Sequence, residues 1–469
     1  IPRRLEVPCR ETISITKAME QKRRTKTQKR SNASWLPGLL FWLILWQLAA
    51  VVWSDNIFIS SPWAVLKKLS RLIWQPFFWQ TVAASFFRIT LGSLAGIILG
   101  FGLALAARKS RLLSSLLEPL VMVMRSVPVV SFIILLLIFV SSRYLALCIT
   151  CIMVLPILYV NTSEGLRALD PKLSEMADVF HLNRRKRWRY ILLPGLEPYL
   201  LSALSLASGL AWKAGVAAEV IGMPDLSIGD RLYKAKVYLD TSELFAWTLV
   251  LVLLSFAFSK LLLGLFKVFM HSLRKETALP NLYENPSESY TREPAPALSK
   301  QDIKVQKLSK SFPNKTLFNN LNLSIPHGRV TAIVGPSGQG KTTLLNILLG
   351  LESMDKGQIT GLEGRSCAVV FQEDRLLESF SVRTNIALAA KFGTREEDLD
   401  KALQAFGLLE DKFSPVETLS GGMKRRTAIL RALLSSYDVL FLDEACRGLN
   451  SELKQSVIRE ILVQSSGKT

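Results

Sequence analysis

Long apolar segments separated by short polar stretches dominate the first 270 residues of the chain. An α-helix needs about 20 residues to cross a hydrocarbon core of about 30 Å. By this criterion the pattern predicts six membrane-spanning helices, at Trp35–Trp53, Val82–Ala107, Leu116–Val140, Tyr144–Val160, Tyr199–Ile221 and Leu244–Phe269. We expect Pro128 to break or kink the third span, because proline lacks the backbone N–H that a helix interior uses. Residues 35–275 are therefore predicted to form an all-α six-helix transmembrane domain.

Basic residues flank these spans and predict their orientation. The chain has 58 Lys and Arg against 38 Asp and Glu, a formal net charge of +20. Much of this excess lies in residues 1–34, in the run 108–111 and in the loop 161–193, all on one side of the predicted spans. Cytoplasmic loops of membrane proteins are enriched in Lys and Arg. We therefore expect a multi-pass protein in the lipid bilayer with both termini in the cytoplasm. We expect no nucleic-acid partner, since no RNA- or DNA-reading motif is present.

Hydropathy falls after residue 275, which predicts a domain boundary. Residues 276–302 contain four prolines among mixed charges, as an extended linker would. From Ile303 onward, short apolar runs alternate with helical patterns, which predicts an α/β domain over 303–469. The chain is thus predicted to be multidomain, with a basic tail (1–34), a membrane domain (35–275), a linker (276–302) and this α/β domain.

A phosphate-binding loop opens the α/β domain. The segment "GPSGQGKT" has the GxxxxGK(S/T) spacing and follows the strand-like "VTAIV". Its glycines let backbone N–H groups surround phosphate oxygens, and the start of the next helix adds a positive dipole end. Lys341 is predicted to reach the terminal phosphates and the Thr342 hydroxyl to bind Mg²⁺. The predicted nucleotide-binding residues here are Gly335, Pro336, Ser337, Gly338, Gln339, Gly340, Lys341, Thr342 and Thr343.

Two adjacent carboxylates follow a second hydrophobic strand, in "VLFLDE". Asp443 is predicted to hold Mg²⁺ directly or through water, and Glu444 to act as the catalytic general base on the attacking water. Two acids at such a place also commonly cap a helix, but the phosphate loop about a hundred residues upstream favours the catalytic interpretation. The motifs together predict ATP hydrolysis, with ATP and Mg²⁺ as cofactors.

Between these motifs, the residues Leu419–Gly422 of "ETLSGGMKRR" resemble the LSGGQ signature of the ATP-binding cassette family. The resemblance implies a P-loop ATPase fold in which Ser420, Gly421 and Gly422 close over the γ-phosphate of ATP bound to a partner subunit. A second copy of the chain, in a homodimer, is therefore expected. The resemblance also implies that Gln372 links Mg²⁺ to the membrane domain. For Phe312 it implies stacking on adenine, with a core role as the alternative.

Several positions depart from the family pattern. Met423 replaces the usual glutamine, Ala445 stands where proline is common, and Asn450 replaces an aspartate. The family's switch histidine would lie beyond Thr469. The ATPase domain is therefore expected to be C-terminally incomplete, with a defective ATPase as the alternative.

The loop 161–194 resembles the cytoplasmic EAA motif of permeases from binding-protein-dependent importers. His181 stands in the motif's glycine position, and the segment "KLSEMADVF" has the spacing of a short amphipathic helix that could dock in a groove on the ATPase domain. The predicted coupling residues are Glu175, Ala177, His181, Ile191, Leu193 and Pro194.

The segment "GLAWKAGVAAEVIG", Gly209–Gly222, further resembles permeases of nitrate/sulfonate/taurine importers. The resemblance implies an importer of the bacterial inner membrane. Its small-molecule solute, nitrate/sulfonate/taurine-like or a related small organic molecule, would be delivered by an extracytoplasmic binding protein. An ATP-driven signalling or envelope-remodelling complex, and an exporter, are the alternative functions. Lys213 lies inside the fifth predicted span, so it should face protein or a water-filled path. Guiding an anion and structural pairing are both open roles for it.

Overall fold

The described residues of the chain form two compact units. The computed structural model describes residues 35–52, 59–274, 301–313, 315–391, 393–465 and 467–469. Unit 1 contains the described residues up to Val160 together with Ala203–Leu263, and unit 2 contains Asn161–Ser202 together with the described residues from Gly264 to Thr469. The polar loop 161–194 thus groups with the carboxyl-terminal part of the chain. The predicted tail 1–34 and nearly all of the predicted linker lie outside the described residues.

Helices dominate the described residues before the linker. In its described part, ten helices precede the first strand: α1 (Trp35–Val52), α2 (Pro62–Ile73), α3 (Pro76–Lys109), α4 (Arg111–Ser126), α5 (Val129–Phe139), α6 (Ser142–Arg167), α7 (Pro171–Val179), α8 (Arg184–Gly222), α9 (Ile228–Val237) and α10 (Thr241–Arg274). Among the described residues, four of these helices (α3, α6, α8 and α10) are long and apolar enough to cross a membrane. Helix α8 contains a π-helical turn at Trp188–Leu192.

The third predicted span consists of two helices, which confirms the break expected at Pro128. Helices α4 and α5 cover it and bend by 107° at their junction. Val127, at the junction, is extended, with φ −79° and ψ 132°. The ring of Pro128 disfavours a helical conformation for the residue before it, so the chain turns there. The first predicted span, Trp35–Trp53, is helical over Trp35–Val52 (α1), and Trp53 lies outside the described residues.

Unit 1 is held together by aromatic side chains and by close helix packing. Trp212 of α8 is fully buried, with its ring centre 6.2 Å from that of Phe258 of α10. Along α3, Gly96 and Gly100 face α6, and a Cβ atom on Gly100 would lie only 2.5 Å from the carbonyl oxygen of Leu155. Glycine at this spacing lets two membrane helices approach closely. Helices α3 and α6 therefore pack backbone against backbone.

Unit 2 contains the strands. Its described elements after α10 are β1 (Ile303–Phe312), β2 (Lys315–Ile325), α11 (Lys341–Leu348), β3 (Lys356–Thr360), β4 (Cys367–Val370), α12 (Val382–Ala387), α13 (Glu396–Ala405), α14 (Gly421–Leu433), β5 (Val439–Leu442) and α15 (Ser451–Gln464). β1 pairs antiparallel with both β2 and β3. β4 and β5 are parallel, with Cys367 opposite Val439 and Val370 opposite Leu442. This parallel pair brings the end of β5, and the two carboxylates after it, next to the end of β4.

The prediction of a strand at 330–334 is wrong for this structure. The segment forms no ladder with the described strands, and the side chains of Val330 and Val334 are 81% and 91% exposed. A cavity of about 460 Å³ is lined by 329–333 on one side and by β5 on the other. A β-strand requires a neighbour that pairs its N–H and C=O groups. Without such pairing, this β-branched segment runs irregularly into the phosphate loop.

Candidate nucleotide-binding and coupling site

The predicted phosphate loop immediately precedes α11. Gly338 and Gly340 have positive φ angles of 80° and 91°, a conformation that favours glycine. A Cβ atom on Gly340 would also lie 2.6 Å from the Leu317 side chain. Lys341 closes the loop, because its Nζ donates to the carbonyl oxygens of Gly335 at 2.8 Å and Pro336 at 2.9 Å. Ser337 and Gln339 lie within this loop, and Thr342 and Thr343 follow in the first turn of α11.

The second half of the site comes from the end of β5. Asp443 extends the parallel pairing, since its backbone N–H donates to the carbonyl of Val370 at 2.9 Å. Lys341, Asp443 and Glu444 line one cavity. Glu444 has a φ of +46°, which is unusual for a residue with a side chain, and its carboxylate pairs with Arg447 at 3.2 Å. The fold therefore unites the phosphate-loop lysine with both carboxylates.

The donor set predicted for Mg²⁺ consists of oxygen atoms. Thr342 offers a hydroxyl, Gln372 an amide oxygen and Asp443 a carboxylate, and Mg²⁺ prefers such ligands together with water and phosphate. Among the described residues, no group of three or more His, Cys, Asp or Glu could hold a metal ion by itself. By donor type these three side chains suit Mg²⁺, and of the three Asp443 lines the cavity of Lys341; that they hold one ion together with a nucleotide stays a prediction.

Two further predicted nucleotide contacts lie elsewhere in unit 2. Phe312 ends β1 and is 43% exposed, with the Lys310 ammonium 5.2 Å from its ring centre, so it is not a core residue. Ser420 is the N-cap of α14, and its hydroxyl accepts from the N–H of Met423 at 3.4 Å. Ser420, Gly421 and Gly422 are not among the described residues that line the cavity of Lys341. That they serve the nucleotide of another copy stays a prediction.

The loop helix α7 packs into the core of unit 2. Asp170 caps the helix by accepting from the N–H of Lys172 at 2.9 Å. Its apolar face, with Met176, Ala177 and Val179 all buried, belongs to the same cluster as Phe371 and Phe380. That cluster also holds Val369 of β4 and Phe441 of β5. The sequence-based prediction of a short amphipathic helix at this position is confirmed.

Two ion pairs link α7 to the residues just after Gln372. The carboxylate of Glu175 lies 2.7 Å from Arg375 Nη1, and Lys172 Nζ lies 2.5 Å from the carboxylate of Glu373. The hydrogen bond from Lys172 lowers the pKa of the Glu373 carboxyl group. The guanidinium of Arg375 also stacks 3.6 Å from the centre of the Phe371 ring. The residues that follow Gln372 are thus joined by ion pairs to helix α7 of the loop 161–194.

The remaining predicted coupling residues lie around the same contact. His181 follows α7 with a φ of +50°, which gives a physical reason for glycine in the importer motif. Ile191 packs against the cluster that buries α7. Leu193 follows the π-helical turn, and Pro194 lines a cavity of about 630 Å³ together with residues from 373 to 379.

Sequence reasoning missed three arginines of this site: Arg375, Arg425 and Arg431. Arg425 and Arg431 lie on α14 and are only 4% and 2% exposed. Neither belongs to the predicted motif residues. For Arg431 the available signal was a charge between the apolar residues Leu430 and Ala432, whereas Arg425 lies between Lys424 and Arg426 and gave no such signal. Their contacts cross from α14 to the segments that end β4 and β5.

In unit 1, the two charged residues of the fifth predicted span differ in burial and in their contacts. Glu219 is buried, accepts from the Ser85 hydroxyl at 2.7 Å, and pairs with Arg88 at 3.3 Å. Lys213 is exposed, although its neighbours Trp212 and Ala214 are buried. None of the ion pairs among the described residues includes Lys213. The ion-pair partner of Glu219 is thus Arg88 and not Lys213.

Comparison with known proteins identifies both parts of the chain. The family model "ABC transporter" matches residues 318–447, and "Binding-protein-dependent transport system inner membrane component" matches 92–275. Fold and site thus define an ATPase domain preceded by a helical permease domain. The chain belongs to the ATP-binding cassette transporter family and is a multi-pass membrane protein that carries both domains in one polypeptide. The predicted family and fold class are confirmed.

Individual relatives are ATP-binding subunits of transporters. A spermidine/putrescine import ATP-binding protein of Fusobacterium nucleatum is 34% identical over 178 residues, which are 35% of this chain and 47% of the relative. An aliphatic sulfonates import ATP-binding protein of Pectobacterium atrosepticum is 35% identical over 187 residues, 38% of this chain and 70% of the relative. A lantibiotic transport ATP-binding protein of Streptococcus pyogenes is 35% identical over 178 residues, 36% of this chain and 77% of the relative. The chain spans less than half the length of the first of these relatives.

Proposed function

We propose that the chain is an importer subunit that combines permease and ATPase and couples hydrolysis of Mg²⁺-ATP to uptake of a small solute. The permease occupies 35–275, the linker 276–302 and the ATPase 303–469. Two copies form a homodimer in the bacterial inner membrane, with the ATPase domains and both termini in the cytoplasm. An extracytoplasmic binding protein delivers the solute.

The ion pair between Glu175 and Arg375 carries this proposal. It joins the loop of the permease to a residue three positions after Gln372, which is predicted to contact Mg²⁺. A change in the bound nucleotide would therefore be transmitted to the loop helix α7 through this ion pair. The loop 161–194 resembles the EAA motif of binding-protein-dependent importers, and neither an exporter nor a signalling complex would be expected to have such a loop. The contact of this loop with the ATPase domain therefore favours import.

Each site residue has a distinct task in the proposed reaction. The loop 335–340 surrounds the phosphates with N–H groups, and Lys341 neutralises their negative charge. Thr342, Gln372 and Asp443 would hold Mg²⁺, which supplies charge stabilisation to the transferred phosphoryl group when bound. Glu444 accepts a proton from the attacking water. Ser420, Gly421 and Gly422 of one copy close on the nucleotide of the other, and Phe312 stacks on adenine.

ATP hydrolysis by the full chain in lipid nanodiscs tests the catalytic part of the proposal. Lys341→Ala should abolish hydrolysis and weaken nucleotide binding, whereas Glu444→Gln should keep nucleotide binding and lower kcat by about 10²–10⁴-fold. Lys356→Ala, on the exposed strand β3, is the matched lysine control and should be silent. Undiminished hydrolysis in Lys341→Ala would refute the assignment. Mass photometry of the same samples should give the mass of two copies.

Solute accumulation in proteoliposomes, with the binding protein added, tests the direction and class of transport. A small anion is the first solute to try, because the Lys213 ammonium forms no ion pair among the described residues and one relative is named for sulfonate import. ATP-dependent uptake supports import. Extrusion would indicate an exporter, and hydrolysis without solute movement would indicate a signalling or remodelling complex.

A further inference from the structure

We propose that Arg425 of α14 is a positioning residue that holds Glu444 and Gln372 in their working conformations at the same time. The inference rests on the proposed ATPase function. Arg425 lies three residues beyond the signature glycine Gly422, and its side chain points away from solvent, being only 5% exposed. It therefore acts inside its own ATPase domain, unlike the signature residues that precede it.

One guanidinium group binds both strand ends of the nucleotide site. On the β5 side, Nη2 donates to the carbonyl oxygens of Asp443 at 2.9 Å and Glu444 at 2.7 Å, and Nε donates to that of Ala445 at 2.7 Å. On the β4 side, Nη1 donates to the carbonyl oxygen of Phe371 at 2.6 Å and contacts that of Gln372 at 3.4 Å. Arg425 thus fixes the backbone on either side of Glu444 and the backbone at Phe371 and Gln372.

Glu444 needs such support because of its backbone conformation. Its φ of +46° lies in the left-handed region, which is disfavoured for a residue with a Cβ atom. Such residues persist only where the surroundings hold them in place. Three successive carbonyl oxygens, those of residues 443, 444 and 445, converge on the guanidinium of Arg425, so this side chain stabilises the turn that directs the Glu444 carboxylate.

The arrangement specifically requires arginine. A guanidinium carries five N–H donors in a planar fork, whereas lysine offers three donors at one point and glutamine offers two. The buried charge is compensated by the carboxylate of Asp374, 3.1 Å from Nη1. Lysine could therefore keep the ion pair but could not bridge both strand ends.

The experiment compares Arg425→Gln and Arg425→Lys with the wild-type full chain in nanodiscs. We expect Arg425→Gln to lower kcat by about 10²-fold, since small misplacements of catalytic groups have effects of this size. The KM for ATP and the affinity for a fluorescent ATP analogue should stay within about threefold, because Arg425 makes no contact with the phosphate loop. The Mg²⁺ concentration for half-maximal rate should rise, since Gln372 and Asp443 are displaced. Arg425→Lys should fall between the two.

A second buried arginine provides the matched control. Arg365 is 7% exposed and donates to the carbonyl oxygen of Gln301, away from the cavity of Lys341. Arg365→Gln should lower the unfolding temperature without changing kcat or the Mg²⁺ dependence. A kcat of Arg425→Gln within twofold of wild type overturns the inference. The inference is also overturned if Arg365→Gln loses as much kcat as Arg425→Gln for the same fall in unfolding temperature.

Two further outcomes are decisive. If Arg425→Gln does not fold, Arg425→Lys decides, since it keeps the charge: wild-type kcat and Mg²⁺ dependence in that variant would refute the proposed bridging role. If the wild-type chain itself hydrolyses no ATP, the proposed function fails rather than this inference.

Discussion

Exchanging the charges of the Glu175–Arg375 ion pair should break and then restore coupling between the ATPase and the permease. We expect Glu175→Arg and Arg375→Glu, made separately, to reduce solute uptake per ATP hydrolysed. The double variant should recover a large part of it, because the pair is re-formed with opposite polarity. The decisive observation is that the second substitution restores solute uptake per ATP hydrolysed, since two unrelated defects would lower this ratio further.

The structure sets the expected size of this effect. The Glu175 carboxylate and Arg375 Nη1 are 2.7 Å apart, and the two side chains are 38% and 12% exposed. Exposed ion pairs contribute about 0.2–1 kcal/mol, and burial of one partner strengthens the Coulomb interaction. We therefore expect an interaction free energy of about 1–2 kcal/mol, which corresponds to roughly a tenfold change in an equilibrium constant.

The neighbouring ion pair is an internal control. Lys172 and Glu373 are 2.5 Å apart, but their side chains are 46% and 61% exposed. Solvent screening should limit their interaction to about 0.5 kcal/mol or less. The exchange Lys172→Glu with Glu373→Lys should thus have a much weaker effect than the exchange at Glu175 and Arg375.

The assay is uptake of solute and release of phosphate, measured together in proteoliposomes that contain the binding protein. A double-mutant cycle on the ratio of the two rates gives the interaction free energy directly. The reasoning is refuted if the exchanged pair couples no better than the worse single variant. It is also refuted if the exposed control pair shows the larger interaction free energy.

Three other predictions concern single side chains. His181→Gly should raise the free energy of unfolding by about 0.5–1 kcal/mol, because glycine tolerates the φ of +50°; an unchanged or lower unfolding temperature would contradict this. Lys213→Cys, with the native cysteines replaced, should react with a membrane-impermeant thiol reagent at least about tenfold faster than Leu253→Cys. The reason is that a charged residue within a span should face water, whereas Leu253 is apolar and 57% exposed. Equal reaction rates would place both side chains in lipid. Glu396 has a pKa lowered to about 2, mainly by its hydrogen bond with Arg383. Since the folded pKa lies below the unfolded one, this stabilisation is present above about pH 4.5 and is lost as pH falls toward 2. With its side chain 40% exposed, screening reduces the contribution to about 1 kcal/mol. Glu396→Gln should remove this part of the acid dependence in unfolding titrations, and an unaltered profile would contradict it.

Local signals were enough to predict the architecture. Helical periodicity and hydropathy located the long helices α3, α6, α8 and α10, and the EAA-like spacing located α7. The apolar run before Asp443 correctly predicted β5. Each of these features depends on residues close together in the chain, so the sequence carries the information directly.

Features that depend on distant partners could not be predicted. The β-branched run at 330–334 has strand propensity, but a strand exists only where a neighbour pairs with it. The bend between α4 and α5 was expected at Pro128, but its angle depends on tertiary packing. The contacts of Arg375 with Glu175 connect residues 200 positions apart, and no periodicity reveals such a pair.

Helix α14 connects the two parts of the site through a pair of buried arginines. Arg425 holds the turn at Glu444, while Arg431 donates to the carbonyl oxygens of Asp374 at 3.0 Å and Arg375 at 2.8 Å. Arg375, like Glu444, has a positive φ, of 45°.

Burial lowers the pKa of Arg431 to about 10, so it still carries its charge at neutral pH. Through Arg425, helix α14 therefore supports the backbone of Glu444, the predicted general base. Through Arg431 it supports Arg375, which pairs with Glu175 of the loop. Because α14 begins with the signature residues, a displacement caused by nucleotide at its N-terminus would act on both strained residues together. Hydrolysis geometry and loop contact would then change as one event.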